Sequence, residues 1–385
     1  MTPHSSSTPR RLRNGVSGEL PDRILHVLWR MSIGGAERAV YQLVREQRRR
    51  GVAADVLVGS AAGFYGERVR ETGATVHELR MRHAFDLIRG RRAPSIYRDY
   101  PTIHMHAPEP LLIVLAARCP HARLFYTHRG GERRYSAWKR VRHAIAGHYL
   151  RKRFHGISGN TTQSANVAMA LFRLPPGAVQ VTYNGLDFEL LEPLRARDEV
   201  VHELGDAAHL RVGTSANLQR WKRIDLLLRA VAQLNGMAIQ CVVLGDGPAR
   251  GELEALAARL GIGDRVRFTG RKEHIGDYLQ ALDVFVLPSG PEEAFGNSVV
   301  EAMGVGLPPI VFADGGGLRE HIVDGRTGFV VEDTDALVTR LRELAEDKDL
   351  RARMGRAART AVRDKYSLDA MVDGYSALYG SAPSE

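Results

Sequence analysis

Two glutamates, Glu293 and Glu301, stand in the segment Glu292-Glu293-Ala294-Phe295-Gly296-Asn297-Ser298-Val299-Val300-Glu301-Ala302-Met303. It follows an apolar run ending at Leu287 and leads into a helix that the spacing starts near Asn297. Gly296 lets a ligand approach the backbone, and the free N–H groups of a helix start can hold phosphate. Glu301 lies one turn into that helix, where side chains tilt back toward the N-terminus, so its carboxylate reaches the same ligand. A carboxylate repels phosphate but accepts from two hydroxyls at once, which makes a ribose diol its better partner. Glu293, in the preceding loop, could meet sugar hydroxyls on the other side of a diphosphate. Taken alone, the pair reads first as two carboxylates that offset a helix dipole.

A second segment, Asn217-Leu218-Gln219-Arg220-Trp221-Lys222-Arg223-Ile224-Asp225, also joins a strand to a helix. Lys222 at that helix start could neutralise a diphosphate leaving group; an exposed lysine in a basic loop explains it as well. The glycines of Gly34-Gly35-Ala36-Glu37-Arg38 permit close approach to a ligand or simply a tight turn. His128 in Tyr126-Thr127-His128-Arg129-Gly130 ends a strand, where a cleft residue belongs.

The elements that would position these residues alternate regularly. Arg23 to Trp29 is a strand, followed by Gly34-Gly35 and a helix with Ala39, Val40, Leu43 and Val44 at helical spacing. The rhythm continues to a strand at Val179 to Tyr183, then restarts at Leu210. Apolar strands alternating with amphipathic helices predict parallel sheets covered on both faces, and such sheets bind ligands at the carboxyl ends of their strands. The expected division is a disordered leader over 1–20, a first α/β domain over 21–188, a linker over 189–209 and a second α/β domain over 210–365. A last helix over 366–380 follows.

Composition narrows the class. The chain has 385 residues, 44% hydrophobic and 25% charged, as expected of a globular protein of two domains. Its two cysteines, Cys119 and Cys241, lack ligand spacing and read as reduced core thiols, so neither a disulfide nor a metal site is expected. With no apolar run of spanning length and no hydrophobic signal region, a cytoplasmic location is expected. The net charge of +10 is uneven: Arg80 to Arg153 carries an excess of +13, leaving −3 elsewhere. Either an anionic partner or a solubilising surface accounts for that excess.

Together these segments resemble the retaining glycosyltransferases of the GT-B fold, family 4, from roughly Arg23 to Tyr379. The carriers are Glu293 and Glu301 with seven residues between them, Gly296-Asn297, Gly306-Leu307-Pro308, Gly34-Gly35-Ala36-Glu37-Arg38, Asn184-Gly185-Leu186-Asp187, Gly245-Asp246-Gly247-Pro248, and Asp324-Gly325 with Thr327-Gly328. The resemblance implies two Rossmann-like domains facing each other across a cleft, with the last helix crossing back to the first. It implies transfer of a hexose or N-acetylhexosamine from a nucleotide diphosphate sugar, UDP favoured, with retention and without a metal or other cofactor. Glu301 would bind the donor ribose, Glu293 the transferred sugar, and Lys222 the diphosphate. Gly34, Gly35, Asn217, Arg223, Arg271, Gly296, Asn297 and Ser298 would complete the donor site, and His128 would lie beside the reacting sugar. The family's usual arginine is replaced by Asn217, so Arg220 or Arg223 is expected to supply the missing charge.

The first domain would bind the acceptor, with Arg129, Arg133 and Arg134 as candidates. The acceptor would be a cell-envelope, lipid-linked or exopolysaccharide glycan, or alternatively a soluble metabolite such as an aminocyclitol. Trp138, Val141, Ile145 and Tyr149 fall at helical spacing among basic residues over 136–153. That helix either packs these side chains onto the first sheet or rests on an anionic membrane surface, which would make the protein peripheral at the inner face. A nicotinamide dehydrogenase is disfavoured because Arg250 stands where the glycine fingerprint needs its third glycine. A nucleic-acid-binding or anionic-surface protein is the alternative of another class, but no recognition motif accompanies the arginines, so no nucleic acid is expected.

Overall fold

The computed structural model describes residues 20–83, 86, 92–106, 109–133, 135–205 and 210–380. The expected leader, Leu20 excepted, lies outside them. The first sheet has strands β1 (Arg23–Leu28), β2 (Ala53–Val58), β3 (Val76–Glu78), β4 (Thr102–His106), β5 (Arg123–His128), β6 (Gly156–Gly159) and β7 (Gln180–Val181). Its order is β3-β2-β1-β4-β5-β6-β7, with parallel pairing throughout. Helices α1 (Gly35–Arg49), α2 (Phe64–Glu71), α3 (Ala93–Tyr97), α4 (Pro110–Ala116), α5 (Ala137–Arg153) and α6 (Thr162–Phe172) cover it.

The second sheet holds β8 (Leu210–Ser215), β9 (Ile239–Leu244), β10 (Val266–Gly270), β11 (Val284–Leu287), β12 (Pro309–Phe312) and β13 (Phe329–Val331). Its order, β10-β9-β8-β11-β12-β13, repeats the plan of the first and is likewise parallel. Around it lie α7 (Arg197–Leu204), α8 (Ile224–Gln233), α9 (Arg250–Arg259), α10 (Ile275–Leu279), α11 (Asn297–Gly304), α12 (Thr334–Glu346) and α13 (Lys348–Arg363). Every residue of β9, β11 and β12 is buried, which is why, Gln240 apart, these strands read as apolar runs. Val200, Val201 and Leu204 of α7 join the second domain's core, so much of the expected linker is part of that domain.

The last helix, α14 (Leu368–Gly380), returns to the first domain. Met371, Val372, Tyr375, Leu378 and Tyr379 pack with Val40, Leu43 and Val44 of α1. Tyr379 also bonds His104 of β4 at 2.8 Å. The packing expectation for α5 fails. Trp138, Val141 and Ile145 are exposed, and Ala146, Gly147 and Leu150 face inward instead. Small residues occupy the contact face because α5 lies backbone-close to α6. A Cβ on Gly147 would collide with the carbonyl of Phe172. Among the described residues no helix is long and apolar enough to cross a membrane.

Candidate functional site

In each sheet the strand order reverses direction beside its first strand, between β1 and β4 and between β8 and β11. Loops leaving the carboxyl ends there diverge and open a crevice, the usual ligand position in such sheets. The Gly34-Gly35 loop follows β1, the Lys222 loop follows β8, and the Glu293 loop follows β11. The sequence candidates therefore sit on the two facing switch points.

Glu293 is buried, and Lys222 Nζ forms an ion pair with its Oε2. Both side chains are only 11% exposed, and the ammonium lies 4.3 Å from the centre of the Trp221 ring. The loops are laced together by the backbone, since Gly290 N–H donates to the Trp221 carbonyl at 3.0 Å. Glu301 is buried on α11. Its carboxylate meets the guanidinium of Arg38, which reaches across from α1 of the first domain. Burial alone would weaken the Arg38 charge, but Glu301 beside it holds its pKa above the ordinary value.

α11 starts at Gly296, whose φ of 74° is left-handed and whose Cβ, if present, would strike Leu318. Only glycine tolerates both demands. Asn297 then bridges the cleft: its amide donates to the Gly35 carbonyl at 3.3 Å and accepts from Asn184 at 3.1 Å. A Cβ on Gly35 would come 3.1 Å from the Asn297 amide nitrogen, so the close approach expected there is to the opposite domain. Gly34 is extended and precedes α1, and Ser298 is half-buried in the first turn of α11.

Other candidates lie apart from this cluster. His128 ends β5 and is buried; Nδ1 meets the Tyr126 hydroxyl at 3.1 Å, and Nε2 has no partner among the described residues. Burial, with His143 and Arg133 nearby, pushes its pKa down to about 4, so the ring is neutral near pH 7. No described contact joins it to Glu293, Lys222 or Glu301. Asn217 and Arg271 are exposed at strand ends.

Three expectations need correction. Arg129 does not face an acceptor. It is buried and donates to His106 Nδ1 at 3.2 Å, to the Asn184 side chain at 2.6 Å and to the Tyr375 hydroxyl at 2.8 Å. Arg223 does not face the diphosphate either: it holds Asp314 through two nitrogens, at 2.6 and 2.8 Å, and the carbonyls of Pro288 and Ser289. Arg220 is turned outward to the exposed Glu252 at 2.5 Å. Neither arginine replaces the charge missing at Asn217. Arg133 is exposed, and Arg134 lies outside the described residues.

Sequence reasoning missed three contributors. Arg38 belongs to the quoted glycine motif but was given no role. Asn184 links Arg129 to Asn297. Glu320 of the second domain accepts from the N–H groups of Thr162 and Gln163, both at 3.0 Å, at the start of α6. An arginine or glutamate beside a motif is the only signal a sequence offers for such bridges.

Two Rossmann-like domains whose strand ends face each other across a closed cleft define the GT-B architecture. Solved structures agree with it. HepE from Anabaena, in complex with UDP, superposes with a TM-score of 0.82 at 20% identity, covering 92% of this chain and 98% of that one. Sucrose-phosphate synthase from Thermosynechococcus elongatus gives 0.76 at 20% identity, over 93% and 98%. The model "Glycosyltransferase Family 4" matches residues 33–190, and "Glycosyl transferases group 1" matches residues 208–361. The chain belongs to family 4 of the GT-B glycosyltransferases. D-inositol 3-phosphate glycosyltransferase of Streptomyces avermitilis is 37% identical over 52% of this chain and 46% of its own length. Alpha-D-kanosaminyltransferase of Streptomyces kanamyceticus is 36% identical over 41% and 42%. The chain spans about half the length of the curated relatives it matches.

Proposed function

We propose that this chain transfers a hexose or N-acetylhexosamine from a nucleotide diphosphate sugar to an acceptor hydroxyl, with retention and without a metal. The observation that carries this reading is the gathering of Lys222, Glu293 and Glu301 at the switch point of the second sheet, opposite the Gly34-Gly35 loop and Arg38 of the first. A cation and two buried carboxylates there match a diphosphate flanked by two sets of sugar hydroxyls. Lys222 would leave Glu293 for the diphosphate and stabilise the charge that develops as the sugar departs. Glu293 would then be free to accept from the hydroxyls of the transferred sugar. Glu301 would accept from both ribose hydroxyls. Gly34, Gly35, Gly296, Asn297 and Ser298 would line the donor, with Asn217 and Arg271 at its edge.

In the reaction, the acceptor oxygen bonds to the anomeric carbon on the face from which the nucleotide leaves. The bond from that carbon to the phosphate oxygen breaks, and a donor phosphate oxygen takes the acceptor proton. Neutral His128, with Nε2 unpartnered, would offer a hydrogen bond to the reacting sugar without adding charge. The UDP held by HepE supports uracil as the base of the donor. A glycan of the cell envelope is the favoured acceptor. A soluble small-molecule acceptor such as an aminocyclitol is the second reading, supported by the similarity to D-inositol 3-phosphate glycosyltransferase.

Thermal unfolding with UDP, GDP, ADP, TDP and their sugar conjugates, in chelator, tests the donor reading. UDP compounds should raise the midpoint in the native protein and lose that effect in Glu301→Ala. No shift from any nucleotide at millimolar levels would sink the donor site. Product anomers read by NMR would test retention.

A further inference from the structure

Helix α5 has two apolar faces, and the fold uses only one. Ala146, Gly147 and Leu150 meet the first domain, whereas Trp138, Val141 and Ile145 are 64%, 49% and 52% exposed on the other side. An exposed apolar stripe of this kind marks a contact surface. The helix carries six Lys or Arg and no acid. Arg142 pairs with Glu109 at 2.9 Å, Arg151 bonds the carbonyls of Phe172 and Arg173, and Arg153 those of Ala117 and Cys119. Lys139, Arg140 and Lys152 are exposed, and their side chains have no partner among the described residues. At 100° per residue, Lys152 falls within the apolar stripe, whereas Lys139 and Arg140 lie about 100° beyond its two edges.

We infer that the outer face of α5 docks on an anionic lipid surface. Trp138, Val141 and Ile145 would enter the headgroup layer, and Lys152 within the same stripe would meet lipid phosphates. Charge complementarity and the absence of any acid on the helix favour this partner. The inference deepens the transfer reading and rests on it for its consequence. The loop entering α5 touches the second domain, where Glu132 N–H donates to the Pro291 carbonyl at 2.9 Å. The docking helix therefore begins at the rim of the cleft, and docking would set that rim at headgroup height. A lipid-linked acceptor presents its hydroxyl there.

Flotation of the full chain with vesicles tests docking without any substrate. One set is phosphatidylcholine alone, the other phosphatidylcholine and phosphatidylglycerol in equal parts, each at low and raised salt. The protein should float with the anionic vesicles only, and less at raised salt. The triple variant Trp138→Ser, Val141→Ser, Ile145→Ser should lower the bound-to-free ratio about tenfold or more. Its unfolding midpoint and its response to UDP should stay those of the wild type. Emission that shifts to the blue on anionic vesicles, taken as wild type minus Trp138→Phe, would place the indole in lipid. Equal flotation of the triple variant, or equal binding to both vesicle types, would overturn the proposal. So would self-association in sedimentation velocity that the triple variant abolishes, which assigns the face to a second copy. Flotation without a UDP response would keep the docking and remove the donor reading.

Discussion

Lys222 and Glu293 come from loops after different strands, yet each is the other's partner in a nearly buried pair. A cation held that way is already desolvated and aimed, which is what stabilisation of a leaving diphosphate requires. Lys222→Ala should therefore lower kcat/KM about a hundredfold in a transfer assay, and an unchanged value would remove it from the mechanism. Arg223 and Arg220 should separate in the opposite sense from the sequence expectation. Arg223→Ala breaks the bonds that tie the start of α8 to Asp314, Pro288 and Ser289. Its pair with Asp314 is partly solvated, so the loss should be about 1–2 kcal/mol in urea unfolding. Arg220→Ala, at 82% exposure, should change neither stability nor donor affinity measurably.

Among the elements, α14 is the one whose removal would reach furthest. Its Tyr375 hydroxyl accepts from Arg129, and its Tyr379 hydroxyl meets His104 Nδ1, so the helix completes a polar network beneath the cleft. Within it Arg129 donates to His106, His106 meets His26 at 2.9 Å, and His26 meets Gln47 at 2.7 Å. Because Arg129 can only donate, His106 accepts at Nδ1, carries its proton on Nε2 and donates to His26, which in turn donates to Gln47. The three imidazoles could be mistaken for a metal site, but each ring nitrogen already has a partner in the protein. Tyr379→Phe leaves His104 Nδ1 unsatisfied and should cost about 1–2 kcal/mol in denaturant unfolding. A loss near zero would mean that water replaces the hydroxyl.

Across the whole molecule, two properties follow from burial. His26, His128 and His321 are held near pKa 4 by burial, against an ordinary value of 6.5. The unfolded chain therefore binds more protons between those values, and stability present above about pH 6.5 is lost as pH falls toward 4. Each ring removes about 3 kcal/mol by pH 4, so together they should bring acid unfolding above that pH. Urea titrations stepped from pH 7.5 to 4.5 measure it, and a flat stability would contradict it. The second property is closure. Arg38 with Glu301, Asn184 with Asn297, and Glu320 with the start of α6 join the domains. Glu320→Ala should raise amide exchange at Thr162 and Gln163 while leaving the strands protected.

The repeated alternation of apolar strands and helices was legible because parallel strands buried on both faces read as apolar runs, and period distinguishes them from helices. The Gly34-Gly35, Lys222 and Glu293 loops were legible because each must leave a strand end. What Arg129, Arg223 and α5 do was not legible. An arginine reads as surface charge until its partners are known, and those of Arg129 lie 23, 55 and 246 residues away. Trp138, Val141 and Ile145 obey helical spacing whichever way the helix turns. Only the close approach of Gly147 to Phe172 decides that they face outward. Local periodicity and turn chemistry thus determined the two domains and the loops of the site. Tertiary packing alone decided which charges meet, because pairing depends on distances across the cleft that no spacing encodes.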